Sequence, residues 1–113
     1  MTHIKRFNDY SDNLYIGQSK IDGEGLFTKI DIPKKVIIAE IADLSDKTDM
    51  SDDWINKFGH KINHSDNPNI ETILIGNKFF IKSLRDIEPN EELVDDYTKI
   101  DKLFNTDISG FRN

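Results

Sequence analysis

The stretch GHKINHSDNPNI, residues 59–70, crowds His60, Lys61, Asn63, His64, Ser65 and Asp66 together, and three chemistries compete for it. A serine nucleophile needs a base and an orienting acid converging in space. Adjacent side chains on extended chain point to opposite faces, so His64 beside Ser65 is a weak triad. His60 and His64, four apart, have the spacing of paired metal ligands on a helix. Pro68 and the Asn/Asp-rich surroundings argue instead for irregular chain, and no glutamate directly follows His60, so a structural loop is favoured and no metal is expected. A second motif, DGEGLF at 22–27, holds a Gly-x-Gly without the third glycine or following helix of a nucleotide loop, and taken alone reads as a tight turn. Tyr97, after the acidic run NEELVDD, adds a phenol whose commonest fate is that of an ordinary strand aromatic.

The whole chain limits which of these can matter. Its 113 residues make one domain, 1–113, with room for a single core. No apolar run exceeds 36–39 and the amino end lacks the order of a signal peptide, so a soluble intracellular protein away from membranes is expected. Cysteine is absent, which excludes disulfides, thiolate metal sites and cysteine nucleophiles. A net charge of -6 argues against direct contact with nucleic acid and suits a lysine-rich partner, although acidity also serves solubility.

The elements that must carry the motifs read as mostly β. Residues 13–19 and 35–41 are β-branched and aromatic, and 71–75 and 78–84 form two further runs joined by Gly76-Asn77, a hairpin signal. A last short strand is expected at 92–97. Helix is scarce: Ser51 and Asp52 can cap a short one carrying Trp54, Ile55 and Phe58, and 99–104 can form a final turn or two. The acidic segment 43–53 is expected on the surface.

Order joins the motifs. SKIDGEGLFTKIDIPKKVIIAEI (19–41), INHSDNPNI (62–70) and FFIKSLRDIEPNEELVDDY (79–97) follow one another as a Gly-x-Gly-aromatic turn, an Asn-His-Ser…Pro-Asn loop and an acidic turn ending in Asp-Tyr. In this the chain resembles the SET-domain protein lysine methyltransferases, and in length the minimal viral or bacterial type without flanking zinc elements. The resemblance implies a SET fold of small curled sheets with a knot-like carboxyl-terminal segment and one or two short helices. It implies S-adenosylmethionine as cofactor, with Glu24, Gly25, His60, Lys61, Asn63, His64, Tyr97 and Phe104 around it. Tyr97 becomes the catalytic residue that orients methyl and amine, and His64 a wall of the cofactor pocket rather than a general base. The implied substrate is a lysine in a protein, with histone as one candidate, entering a channel to which Trp54, Phe58 and Asp95 are assigned.

Several positions depart from that family. Asp95 stands where phenylalanine, tyrosine or another apolar residue is common and where the number of methyl groups is influenced. His60-Lys61 replaces a frequent arginine-phenylalanine pair, with Lys61 still able to face the cofactor carboxylate, and Asp66 replaces a frequent cysteine. No cysteine cluster follows Tyr97, which leaves Phe104 and Phe111 as aromatics to cover the adenine. The insert before the loop is short, so a homodimer is expected to complete the peptide groove. A non-catalytic module that binds cofactor or a basic peptide is the alternative function, and methylation of a small amine a more distant one.

Overall fold

Seven strands form two sheets in the computed structural model, which describes residues 10–46 and 54–100. β1 (Leu14–Gln18), β2 (Glu24–Thr28), β7 (Glu92–Asp95) and β4 (Asn63–His64) make a four-stranded sheet in the order β1-β2-β7-β4. β3 (Ile37–Asp43), β6 (Lys78–Ser83) and β5 (Ile70–Ile75) make a three-stranded antiparallel sheet in the order β3-β6-β5. The mostly β architecture of small sheets expected from the sequence is therefore the one present.

Local chemistry accounts for most of these elements. β5 and β6 alternate around Gly76, whose φ of 61° is open to glycine at no steric cost and lets the chain turn in two residues. β6 sends Phe79, Ile81 and Ser83 inward and its lysines outward, the period of two that a half-buried strand requires. β3 breaks that period: Ile38 and Ala39 are both buried, as are Ile41 and Ala42, because two register shifts against β6 turn consecutive side chains to the same face. Leu26, Ile32, Ile38, Ile70, Phe79, Ile81, Ile87 and Leu93, each at most 1% exposed, form the centre of the core.

Two segments depart from the sequence reading. The Gly-x-Gly turn continues directly into β2, a strand that the glycine-rich motif masks, since Gly25 lies within it. The helix expected near 51–58 is not formed over its described part: Ile55 makes a bridge to Ala42, with Asn56 N donating to Ile41 O at 2.8 Å and Asp43 N donating to Trp54 O at 3.1 Å. Extended pairing here buries Trp54 edge-on against Phe79, ring centroids 5.9 Å apart, and a short 3-10 turn over Gly59–Lys61 follows. The cap residues Ser51 and Asp52, the turn at 99–104 beyond residue 100, and Phe104 and Phe111 lie outside the described residues.

β7 is buried on both faces from Leu93 to Asp95 and is the strand on which the sheets meet. It pairs antiparallel with β2 and parallel with β4, so the last strand is inserted between two earlier ones. Asn69, 1% exposed, fixes its position: Oδ1 accepts from Val94 N at 2.8 Å, and Nδ2 donates to Glu92 O at 2.8 Å. Asn69 N also donates to Val94 O at 3.1 Å. Truncating Asn69 to alanine strips partners from two buried main-chain groups, each costing about 1–3 kcal/mol. Asn69→Ala should therefore lower stability by about 2–6 kcal/mol in urea unfolding, with the fold retained.

Candidate functional site

The site is assembled from the segment 59–65, the turn before β2 and the end of β7. Asn63, in β4, aims Nδ2 at four acceptors: Ser19 Oγ, Asp22 O and Glu24 O at 3.1 Å each, and Glu92 Oε2 at 2.9 Å. Glu92 also accepts from Ser19 Oγ at 2.8 and 3.0 Å. This cluster clamps the Gly-x-Gly turn against β7. Gly25 is required by it, because a β-carbon there would sit 2.7 Å from Cδ of Glu92. Ser19 and Glu92 were not singled out by the sequence motifs. The absence of a side chain at Gly25, opposite a glutamate of the acidic turn, was the available signal.

Lys61 and Glu24 stand on the same rim, Nζ to Oε1 2.8 Å apart, both with substantial exposure. Such a pair contributes under about 1 kcal/mol, so either partner can exchange for a charged ligand group. Glu24, Gly25, Lys61 and Asn63 are thus brought together as expected, but on each other.

Beside this rim, His64 and Tyr97 pack with ring centroids 5.2 Å apart. His64 Nδ1 accepts from the main-chain N–H of Tyr97 at 3.0 Å, which leaves the ring proton on Nε2, 3.0 Å from Asp66 Oδ1. Both ring nitrogens are thus engaged, one on the Tyr97 main chain and one on Asp66. Tyr97 itself lies past the end of β7, where residues 97–100 begin a helical turn, rather than on the strand. Two contacts fix it: the bond to His64, and its hydroxyl donating to Ile62 O at 2.7 Å. Burial, and then the charges of Asp22 and Asp95, push the phenol above its usual range, so it is a neutral donor at physiological pH.

Tyr97 also borders a cavity of about 250 Å³ lined by Ile41, Ala42, Ile55, Gly59, His60, Ile62, Thr72, Tyr97 and Ile100. Its walls are chiefly apolar, built by the bulged strand β3 and the bridge at Ile55. Of the residues assigned to a substrate channel, Trp54 belongs to the core rather than to this cavity, and Phe58 packs partly buried on that core with Lys57 Nζ 5.4 Å from its ring. Asp95 is 1% exposed and lies behind the lining, where its Oδ2 accepts from Thr72 Oγ1 at 2.8 Å and its Oδ1 from Asp96 N at 2.7 Å. Burial, aided by the charges of Asp96 and Glu71 and opposed by those two hydrogen bonds, pushes its carboxyl up to about 6. Among the described residues no three His, Asp or Glu side chains come together to hold a metal, and no helix is long and apolar enough to cross a membrane.

Comparison with known proteins follows the same lines. The family model described as the SET domain matches residues 45–98, which include the Asn63–His64 strand, β7 and Tyr97. That match spans just under half of the chain, and the order of motifs and the fold resemble those of SET-domain proteins. The fold is similar to that of a candidate histone methyltransferase of Plasmodium falciparum, with a TM-score of 0.62 and 22% identity over 75% of this chain and 92% of that one. It is also similar to part of a humanized mutant of the Chaetomium thermophilum Polycomb Repressive Complex 2 bound to the inhibitor GSK126, with a TM-score of 0.59 and 20% identity. That match covers 74% of this chain but only 14% of the larger one. No curated protein matches this chain in sequence.

The buried carboxyl gives the protein a measurable pH signature. Asp95 holds its proton more tightly folded than unfolded, so protonation stabilises the fold at low pH and that contribution is lost as pH rises through about 6. Its size is on the order of 2–3 kcal/mol. Asp95→Asn should therefore gain stability relative to wild type by roughly that amount between pH 4 and pH 7. Urea unfolding of both proteins across this range measures it, and a pH-independent difference would contradict the assignment.

Proposed function

We propose that this protein transfers a methyl group from S-adenosylmethionine to the side-chain amine of a lysine in a protein substrate. The observation that carries this reading is the seating of Tyr97. Its hydroxyl is tied to a main-chain carbonyl beside an apolar cavity, while its main chain and ring are held by His64, the neighbour in sequence of the polar rim residue Asn63.

The polar side fits the proposed cofactor. S-adenosylmethionine carries an amino-acid end, a sulfonium and an adenine, and the rim offers Lys61 for a carboxylate, Glu24 for an ammonium and the His64–Tyr97 pair as an aromatic wall. When bound, the cofactor supplies an electrophilic sulfonium methyl. The chain's own residues do the remaining work: the apolar cavity strips water from a lysine whose reference pKa is about 10.4, and Tyr97 holds its geometry through two main-chain anchors. Alignment of this kind can supply about 7–11 kcal/mol of a barrier. A net charge of -6 suits a lysine-rich substrate, and the described neighbours make a histone tail the first substrate to try.

A second reading, a non-catalytic module for cofactor or a basic peptide, draws support from one feature: Asn63 Nδ2 and the Lys61–Glu24 pair are already engaged within the protein. Calorimetry with S-adenosylmethionine, followed by mass spectrometry of lysines in histones, separates the two. Micromolar binding, about -8 kcal/mol, with methyl transfer supports the enzyme, and binding without transfer supports the module. Tyr97→Phe keeps the ring and removes the bond to Ile62 O, so cofactor binding should persist while turnover falls about 10²- to 10³-fold. A homodimer that completes the peptide groove is part of the proposal, and light scattering showing an active monomer would remove that part.

A further inference from the structure

We infer that Thr72 and Asp95 form a proton relay at the wall of the cavity, with the Thr72 hydroxyl accepting a proton from a substrate ammonium as it passes its own to the Asp95 carboxylate. The inference rests on the lysine-transfer reading and assigns two residues that this reading does not use.

The geometry is a cross-sheet contact. Thr72 comes from β5 and lines the cavity, while Asp95 comes from β7 and is shut off from water behind it. Thr72 Oγ1 donates to Asp95 Oδ2 at 2.8 Å, so both lone pairs of the hydroxyl remain available for a donor in the cavity. Among the described residues no lysine or arginine forms an ion pair with Asp95. Its surroundings are Glu71 and Thr72 from β5, His64 opposite it on β4, and Asp96 and Tyr97 after it in the chain. Of these, Glu71 and Asp96 are like charges that favour protonation, and His64 is directed at Asp66 and at the Tyr97 main chain. A buried carboxylate without a cationic partner is costly to keep charged, and burial raises its pKa to about 6. A cation at the hydroxyl would relieve it.

The proton balance is simple. One Nζ–H bond of the ammonium breaks and an O–H bond forms on Thr72, while the original Thr72 O–H breaks and one forms on Asp95 Oδ2. The electron pair of the broken bond stays on Nζ, which leaves a neutral amine able to attack a methyl group and a neutral carboxylic acid. In water this transfer would run uphill. An apolar cavity reverses the preference, because burial disfavours the charged form of both partners and the neutral pair needs no solvation. Once product leaves, the acid returns its proton through Thr72 to water that enters the cavity.

The test is the pH dependence of kcat/KM on a lysine peptide at saturating cofactor, which reports groups of the free enzyme. Wild type should show an acid limb near pH 6 and a plateau above it. Asp95→Asn and Thr72→Val should each lower the plateau about 10²- to 10⁴-fold and replace the limb by a continuous rise toward pH 9. Thr72→Ser, which keeps the hydroxyl, should keep the limb, a rescue that a packing role would not give. Thermal unfolding of each variant distinguishes loss of relay from loss of fold. A wild-type limb that survives in both disabled variants belongs to another group and overturns the relay while leaving methyl transfer intact. Cofactor binding with no transfer to any lysine by wild type overturns the lysine-transfer reading itself, and the relay falls with it.

Discussion

The insertion of β7 between β2 and β4 is the constraint on which the rest of the molecule depends. A strand enclosed on both sides and both faces must find a partner for every main-chain group, because an unpaired buried amide or carbonyl costs about 1–3 kcal/mol. The short β4 pairs with only two residues of it, so side chains complete the ladder. Asn69 serves Val94 and Glu92 from one side, and Ser65 N donates to Asp95 O at 2.9 Å further along. The run Asn63 to Asn69 is thus first a brace for the last strand. Its chemical use follows from that, because whatever holds β7 also fixes the place where Tyr97 emerges.

The same clamp explains why so many polar groups converge at the rim without a buried orphan. Asn63 has two amide hydrogens for four acceptors, and its Glu92 acceptor also takes the Ser19 hydroxyl. Such a network has slack on the acceptor side, so a ligand donor can displace one bond without leaving a hydrogen unpaired. The Lys61–Glu24 pair is equally exchangeable, being exposed. A rim of this kind is fixed in its backbone and permissive in its side chains.

Much of this was legible in the sequence, for identifiable reasons. β1, β3, β5, β6 and the hairpin at Gly76 follow from alternation, β-branching and one glycine, all local signals. The order of three motifs located the rim and Tyr97. What escaped depended on long-range pairing. Ile55 is extended because Ile41 and Asp43 offer bonding partners, although the local pattern around Trp54 and Phe58 is equally compatible with a helix. β2 was hidden behind its own glycine. Thr72 carries no motif at all, and its contact with Asp95 exists only because two sheets meet.

That contact also gives physical content to the most unusual substitution in the chain. Carboxylates are almost never fully buried without a partner, so a strand aspartate such as Asp95 ordinarily turns outward. It does not, because β7 is buried on both faces and offers no outward direction at Asp95. The strand therefore forces the carboxylate inside, and Thr72 and the Asp96 amide supply the two hydrogen bonds that make it tolerable. Two neutral donors compensate only part of the desolvation of a charge, and the group keeps an elevated affinity for a proton. The enclosure of β7 that forces Asp95 inward is thus also what sets its contact with Thr72 at the wall of the cavity.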